Sequence, residues 1–164
     1  MPENNSDEVR ILLGPSIISS EITGSHMMRK NLLDTIDRAT EKLLIVGYML
    51  NSTEIAERII PKCSKMEVII HLDESQTFGD ERATAVYNSL IQAGALVKLH
   101  SDTTDGSMHA KVIISDNTEA IVGSANLTYS GADRNLEIGV RIRAPSVKIL
   151  RDTVTQALGV IHWQ

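Results

Sequence analysis

The sequence predicts a single α/β domain in which a mixed sheet of about seven to eight strands carries helices on both faces. A length of 164 residues suits one hydrophobic core. Segments of helical and strand periodicity alternate over residues 25–99, which is typical of parallel βαβ units. Strand-like segments then follow one another closely, which indicates antiparallel pairing. We expect residues 1–9 to form a flexible tail and residues 10–164 to form the domain.

The first part of the chain begins with a short predicted strand at Val9–Leu13. Apolar residues then recur at helical spacing over residues 25–41, and an apolar run over 43–50 predicts a buried strand. A short helix with a hydroxyl side chain as its cap follows over 53–61 and ends near a proline. A second buried strand is predicted over 66–72.

The middle of the chain combines two loops with one helix and one strand. Residues 73–79 are polar and are predicted to form a loop. Amphipathic spacing over 80–93 predicts a helix, which Gly94 closes. A strand follows at 95–99, and a second loop, rich in threonine, aspartate and glycine, is predicted at 101–107.

The last part of the chain is predicted to add paired strands and a final helix. Strand-like segments at 108–115 and 119–122 flank a turn at 116–118, so we expect a β-hairpin. Alternation over 135–142 predicts a further strand. A proline in the first turn fits a closing helix over 145–158.

Composition excludes several classes of protein. The chain is 42% hydrophobic and 23% charged, as in ordinary soluble domains, and its apolar runs are too short to cross a bilayer. Its start lacks the basic and apolar parts of a signal peptide. Cys63 is the single cysteine, which excludes an internal disulfide and a cysteine cluster for zinc. We therefore expect a cytoplasmic protein with no metal, cofactor or membrane association.

Charge and aromatic content do not indicate a protein that coats nucleic acid. The net charge is −5, and this excess lies in residues 1–96, because residues 97–164 carry seven charges of each sign. The five aromatic residues are too few and too scattered for a base-stacking platform. Any attraction for phosphate must therefore come from a few placed residues in the C-terminal part.

One stretch of the chain carries a pattern with chemical meaning, H-x-K-(x)4-D-(x)6-G-S-x-N with a glutamate downstream. Its residues are His109, Lys111, Asp116, Gly123, Ser124, Asn126 and Glu137. The pairs His109/Lys111 and Ser124/Asn126 are each two residues apart, so on paired strands their side chains would converge on one patch. Such an imidazole, ammonium, hydroxyl and carboxamide can attack a phosphodiester and neutralise its oxygens without a metal.

The pattern resembles the signature of the phospholipase D superfamily, and the preceding order of helices and strands is similar to that superfamily's half-domain. The resemblance implies a metal-independent phosphodiesterase with a phospholipase D-like fold. His109 is expected to attack phosphorus and form a covalent phosphohistidine. Lys111 and Asn126 are expected to hold the non-bridging oxygens, where negative charge develops.

The other residues of the pattern are assigned supporting roles. Ser124 is expected to donate a further hydrogen bond. Glu137 is expected to accept a hydrogen bond from the far nitrogen of His109 and fix its tautomer, which is the role of the matching glutamate in the superfamily. Asp116 is predicted to order the hairpin turn rather than touch substrate, and Gly123 to end a strand.

This chemistry needs a second histidine, which protonates the leaving oxygen and later activates water. No other histidine of the chain has a lysine two residues later. We therefore expect a homodimer in which each copy presents His109 across a shared axis, as small bacterial endonucleases of the superfamily do. Arg134, Lys98 and His100 could also contact substrate, with a solvated or structural role as the alternative for each.

Nucleic acid, either DNA or RNA, is the expected substrate, because the chain is short, has one motif and lacks the membrane spans of the superfamily's lipid synthases. Two alternatives stay open. One is a phosphodiesterase that acts on phospholipid headgroups, and the other is a non-catalytic subunit that binds nucleic acid within a larger complex. Since we recognise no reader module, a larger complex could supply recognition.

Overall fold

The structure is a computed structural model that describes residues 9–13, 27–103 and 106–159. Within these residues one mixed sheet of seven strands carries helices on both faces, which confirms the predicted α/β class. The strands are β1 Val9–Leu13, β2 Lys42–Gly47, β3 Glu67–Asp73, β4 Leu96–His100, β5 Val112–Ser115, β6 Glu119–Gly123 and β7 Ile138–Arg143. The helices are α1 Met27–Arg38, α2 Thr53–Ile59, α3 Glu74–Phe78, α4 Glu81–Ala93, α5 Tyr129–Asp133 and α6 Val147–Leu158, with a 3-10 turn at Ile60–Lys62.

The strand order is β1-β7-β6-β5-β2-β3-β4, with β2, β3 and β4 parallel and the remaining neighbours antiparallel. Because β5 runs opposite to β2, its first residue Val112 lies beside Val46 near the end of β2. The carboxyl ends of β2, β3, β4 and β6 therefore share one edge with the amino ends of β5 and β7. We call this the upper edge of the sheet.

The core has two parts because alternate side chains of a strand point to opposite faces. In β2, Leu43 and Ile45 are buried against α1, α2 and α4. Leu44 and Val46 belong to a second cluster that includes Val147 of α6. A strand that is buried on both faces requires a near-continuous apolar run, as the sequence of β2 shows.

Side-chain caps begin α2 and α4, and the hydroxyl cap of α2 and the glycine that ends α4 were predicted from the sequence. The Ser52 hydroxyl accepts the Ile55 N–H at the start of α2, and the Asp80 carboxylate accepts the Ala83 N–H at the start of α4. Gly94 ends α4 with a φ of 100°, a conformation that favours glycine. No helix among the described residues is both long enough and apolar enough to cross a membrane.

The structure differs from the predictions at several places, and the strand predicted over 135–142 is β7, which begins only at Ile138. The predicted loop at 73–79 contains helix α3, which Asp73 caps by accepting the Gln76 N–H. A helix of five residues is too short to show a periodic pattern. The short helix α5 was likewise not predicted. The strand predicted from residue 108 begins only at Val112, because β6 ends at Gly123 and leaves residues 108–110 without a partner strand.

The predicted tail and the predicted start of the first helix lie mostly outside the described residues. Val9 is the exception, because it is the first residue of β1 and pairs with Ile142 of β7. Helix α1 is described from Met27 onward, so the predicted beginning at residue 25 has no counterpart to compare.

A candidate active site at the upper edge of the sheet

His109 and Lys111 lie at the upper edge, in the segment that leads into β5. The Lys111 ammonium donates to the backbone carbonyl of His109 at 2.8 Å, and its Nζ lies 3.2 Å from His109 Nδ1. The His109 side chain is exposed and Lys111 is half-buried. Burial lowers the pKa of Lys111, while the negative charge of Glu137 acts in the opposite direction.

Tyr48, which follows β2 directly, joins this pair from the neighbouring strand. Its ring centroid lies 4.6 Å from that of His109, with the two planes at 58°. Lys111 Nζ lies 5.3 Å from the same Tyr48 centroid, within the range of a cation–π contact. The imidazole and the ammonium therefore share one aromatic neighbour.

Ser124 and Glu137 bond to each other where β6 ends and β7 begins. The Ser124 hydroxyl donates to Glu137 Oε2 and accepts the Ile138 N–H at 3.1 Å. Asn135 Nδ2 donates to Glu137 Oε1 at 3.3 Å. Glu137 is buried, and among the described residues its carboxylate makes no hydrogen bond with His109. The expected contact between Glu137 and His109 is therefore not made within one chain.

Asn126 lies in a loop that is fixed to the segment after β2. The Leu127 N–H donates to the carbonyl of Met49 at 3.1 Å, and Leu127 forms a parallel bridge with Leu50. These contacts bring the loop of Asn126 and Leu127 to the segment that carries Tyr48. The Oδ1 atom of Asn126 is buried and has no hydrogen-bond partner among the described residues.

Gly123 and Gly131 are positions where backbone approaches too closely for a side chain. A Cβ atom on Gly123 would lie 2.7 Å from the carbonyl oxygen of Ile138, and one on Gly131 would lie 2.4 Å from the carbonyl oxygen of Asn126. The first contact holds the end of β6 against β7, and the second packs α5 against the Asn126 loop. Sequence reasoning included Gly123 and missed Gly131.

Asp116 lies at the opposite end of the β5–β6 hairpin from His109. Its carboxylate accepts the backbone N–H groups of residues 40–42 at 2.9–3.3 Å and the Thr40 hydroxyl at 3.1 Å. Burial favours the neutral carboxyl, but these hydrogen bonds prevail and lower the pKa of Asp116. Asp116 itself adopts a φ of 53° in the turn. The side chain fastens the turn to the segment before β2.

Of the three further candidates, Lys98 and His100 lie apart from His109 and Lys111, whereas Arg134 directly precedes Asn135, which bonds to Glu137. Lys98 and His100 are on β4, which is separated from β2 by β3. His100 Nε2 lies 2.7 Å from Nδ1 of the buried His71. Burial lowers the pKa of His71 to about 4, with His100 and Lys98 adding to the effect. Arg134 is exposed at the end of α5.

The patch supplies an exposed imidazole, an ammonium, a hydroxyl and a carboxamide, as the pattern requires. In the described residues no group of three or more histidine, cysteine or acidic side chains is placed to hold a metal ion. An imidazole can act as a nucleophile, and an ammonium, a hydroxyl and a carboxamide can donate hydrogen bonds to the oxygens of a phosphodiester.

Fold and site together define the class of protein, an α/β domain of phospholipase D type. The family described as "Cardiolipin synthase, PLD-like domain" matches residues 32–157. The chain belongs to this PLD-like domain family, and with it to the phospholipase D superfamily of phosphodiesterases.

Relatives and solved structures agree with this assignment. The DISARM protein DrmC of Bacillus paralicheniformis is 29% identical over 128 residues, and the match spans 75% of this chain and 52% of that relative. The chain thus spans about half the length of that protein. The phospholipase D family member Nuc of Salmonella typhimurium superposes with a TM-score of 0.71 at 22% identity, covering 90% of this chain and 91% of its own.

NucT of Helicobacter pylori gives a TM-score of 0.72 at 18% identity, covering 93% of this chain and 95% of its own. At these identities the two structures establish the fold alone. Both have chains of nearly the same extent as this one.

Tyr48 is the residue of the patch that sequence reasoning missed. A signal was present, because Tyr48 is an aromatic residue near the end of the apolar run over residues 43–50. The end of a parallel strand is where α/β folds place their binding groups. The strand pairing needed to connect Tyr48 with His109 is not visible in the sequence.

Proposed function

We propose that this chain is a nuclease that hydrolyses nucleic acid without a metal ion. The observation that carries the proposal is the exposed imidazole of His109, held beside the Lys111 ammonium at an open edge of the sheet. The complete motif and the phospholipase D-like fold support a phosphodiester as the group that is attacked.

The proposed reaction has two steps. First a ring nitrogen of His109 bonds to phosphorus while the bond from phosphorus to the leaving oxygen breaks, and a second histidine gives that oxygen a proton. The second histidine then takes a proton from water, whose oxygen bonds to phosphorus as the phosphorus–nitrogen bond breaks. The products are an alcohol and a phosphate monoester, and both histidines are restored.

Lys111 changes its partner during this reaction. In the free chain the ammonium contacts His109 Nδ1 and the His109 carbonyl. A non-bridging phosphate oxygen is a stronger acceptor because it is charged, so the ammonium moves to the substrate and releases the imidazole. The Asn126 carboxamide is proposed as a further donor to phosphate, and so is the Ser124 hydroxyl, whose one proton must first leave Glu137. Glu137 is proposed as the group that orients the site.

The second histidine is proposed to come from a second copy of this chain. Within the described residues His71 and His100 are engaged with each other on the far side of β2, away from the patch. Two exposed apolar side chains border the Ser124–Glu137 pair, Leu136 at 54% and Ile138 at 57% exposure. They support a surface on which another copy docks and brings two His109 residues together.

Nucleic acid is the proposed substrate because a short chain with a single motif resembles the small endonucleases of the superfamily. In agreement with this, Nuc and NucT correspond to this chain over nearly their whole lengths. The description of the matching family names a cardiolipin synthase, which supports a phospholipid headgroup as the second candidate. DrmC is by name a DISARM protein, and this supports a setting in which other proteins supply recognition.

The proposal is tested by assaying the purified chain and His109→Ala on single- and double-stranded DNA and RNA in excess EDTA. We expect the wild type to cut at least one of these polymers and the variant to lose at least about 10³-fold in kcat/KM. Because His109 is exposed, the melting temperature of the variant should match that of the wild type.

Lys65→Ala, at an exposed position on the opposite edge of the sheet, serves as the control and should retain full activity. Strict dependence on magnesium would contradict the mechanism. Cleavage of phospholipid vesicles in place of nucleic acid would establish the second candidate. If the specific activity stays constant on dilution and sedimentation shows a monomer, the proposal of a site shared between two copies is wrong.

A further inference from the structure

We infer that Tyr48 is a positioning residue of this site, whose ring face holds the His109 imidazole and the Lys111 ammonium in their mutual orientation. The inference rests on the proposed function, since it assigns Tyr48 a task in the reaction of His109. Tyr48 is not part of the motif, and 61 positions separate it from His109 in the sequence.

Two contacts carry the inference. The Tyr48 ring meets the His109 ring at a centroid distance of 4.6 Å, and Lys111 Nζ stands 5.3 Å from the Tyr48 centroid. His109 lies in an irregular segment before β5, so no strand pairing fixes its backbone. An exposed histidine in such a segment would sample several rotamers, and contact with the Tyr48 ring restricts this freedom.

Tyr48 is itself held firmly enough to serve as a reference point. It directly follows β2, a central strand that pairs with both β3 and β5. Immediately after it, the carbonyl of Met49 accepts the Leu127 N–H, and Leu50 bridges to Leu127. The backbone at Tyr48 is therefore fixed to the strand on one side and to the loop of Asn126 and Leu127 on the other.

The ring also acts on the charges of the site. Lys111 is half-buried and loses hydration there, and the negative face of an aromatic ring compensates part of that loss. The imidazole of His109 becomes positively charged when its nitrogen bonds to phosphorus. The Tyr48 ring, whose centroid lies 4.6 Å from that of His109, then stabilises that charge, which favours the covalent intermediate over the free enzyme.

These effects belong to the ring and not to the phenol group. In the described part of the chain the Tyr48 hydroxyl takes part in no hydrogen bond with His109, Lys111 or Asn126. Phenylalanine should therefore replace Tyr48 without loss, whereas an aliphatic side chain of similar size should not. This difference provides a matched pair of variants.

The experiment compares Tyr48→Phe and Tyr48→Leu with the wild type, once His109→Ala has shown that activity depends on His109. We expect Tyr48→Leu to lose about tenfold in kcat with little change in KM, and Tyr48→Phe to stay within about twofold of the wild type. The basic limb of the pH profile should move to lower pH in Tyr48→Leu, because Lys111 loses a group that favours its charged form.

A second readout does not depend on activity. In proton NMR the His109 ring signals should carry a ring-current shift from Tyr48 in the wild type and Tyr48→Phe, and lose it in Tyr48→Leu. Loss of activity in Tyr48→Leu with an unmoved pH profile and unchanged His109 signals would overturn the inference. Equal loss in Tyr48→Phe would also overturn it, because the hydroxyl would then be the active group.

Discussion

The two ends of the β5–β6 hairpin carry residues of one motif and are built in opposite ways. At the turn, both carboxylate oxygens of Asp116 accept hydrogen bonds from N–H and hydroxyl donors of residues 40–42. At the upper edge, His109 is exposed, burial lowers the pKa of Lys111, and Asn126 Oδ1 has no partner in the described part of the chain.

This difference teaches that membership of a motif does not imply one shared task. A saturated carboxylate contributes to folding and has nothing left to offer a substrate. Groups that are left partly unsatisfied reduce stability and are available for binding. Substitutions at the two ends should therefore separate activity from stability.

The largest expected effect is on activity, at the upper edge. Lys111→Met should lower kcat by about 10²–10³-fold, because one preorganised donor to the phosphate is lost. Its free energy of unfolding should be unchanged or slightly raised, since burial disfavours the charge of Lys111. Urea unfolding and steady-state kinetics measure the two quantities, with Lys65→Met as control. A loss of stability large enough to explain the loss of activity would show that Lys111 contributes to folding and not only to the reaction.

The next effect is on stability, at the turn. Asp116→Ala should lower the free energy of unfolding by about 3 kcal/mol, because several backbone donors lose a charged acceptor. Asp116→Asn should cost about half as much, since one acceptor oxygen remains and asparagine tolerates the positive φ. Activity per folded molecule should equal that of the wild type, and a selective fall in kcat would place Asp116 in the reaction instead.

The pH dependence of this stabilisation has a definite sign. Hydrogen bonds lower the pKa of Asp116 in the folded chain even though burial opposes them. Its contribution is therefore complete above the unfolded pKa of about 3.9 and is lost as the pH falls through the folded value. The stability difference between wild type and Asp116→Ala should stay constant above pH 5 and shrink only in stronger acid.

The smallest effects are expected at Asn126, where both the activity and the free energy of unfolding should change. Asn126→Ala should lose about tenfold to a hundredfold in kcat, because a carboxamide donor is removed. The same change should raise the free energy of unfolding by up to about 1 kcal/mol, since an unpartnered buried oxygen disappears. Thermal unfolding and kinetics on one preparation test this, and a destabilised variant would show that the carboxamide has a structural role.

Much of the fold could be predicted from local pattern. The apolar runs at β2 and β3 and the capped amphipathic α4 were located within a few residues. The predictions were wrong where an element was short or where pairing decided its limits, as at α3 and at the start of β5. A five-residue helix has no measurable period, and a strand extends only as far as its neighbour does.

The sequence by itself determined the chemical groups of the site and the family, because the spacing from His109 to Asn126 is a local property of the chain. The tertiary structure decided which distant residues complete them. Tyr48 meets His109 only because β2 pairs with β5 and the segment after β2 bonds to Leu127. Such contacts depend on register and on the closure of long loops, which no pattern of neighbouring residues records.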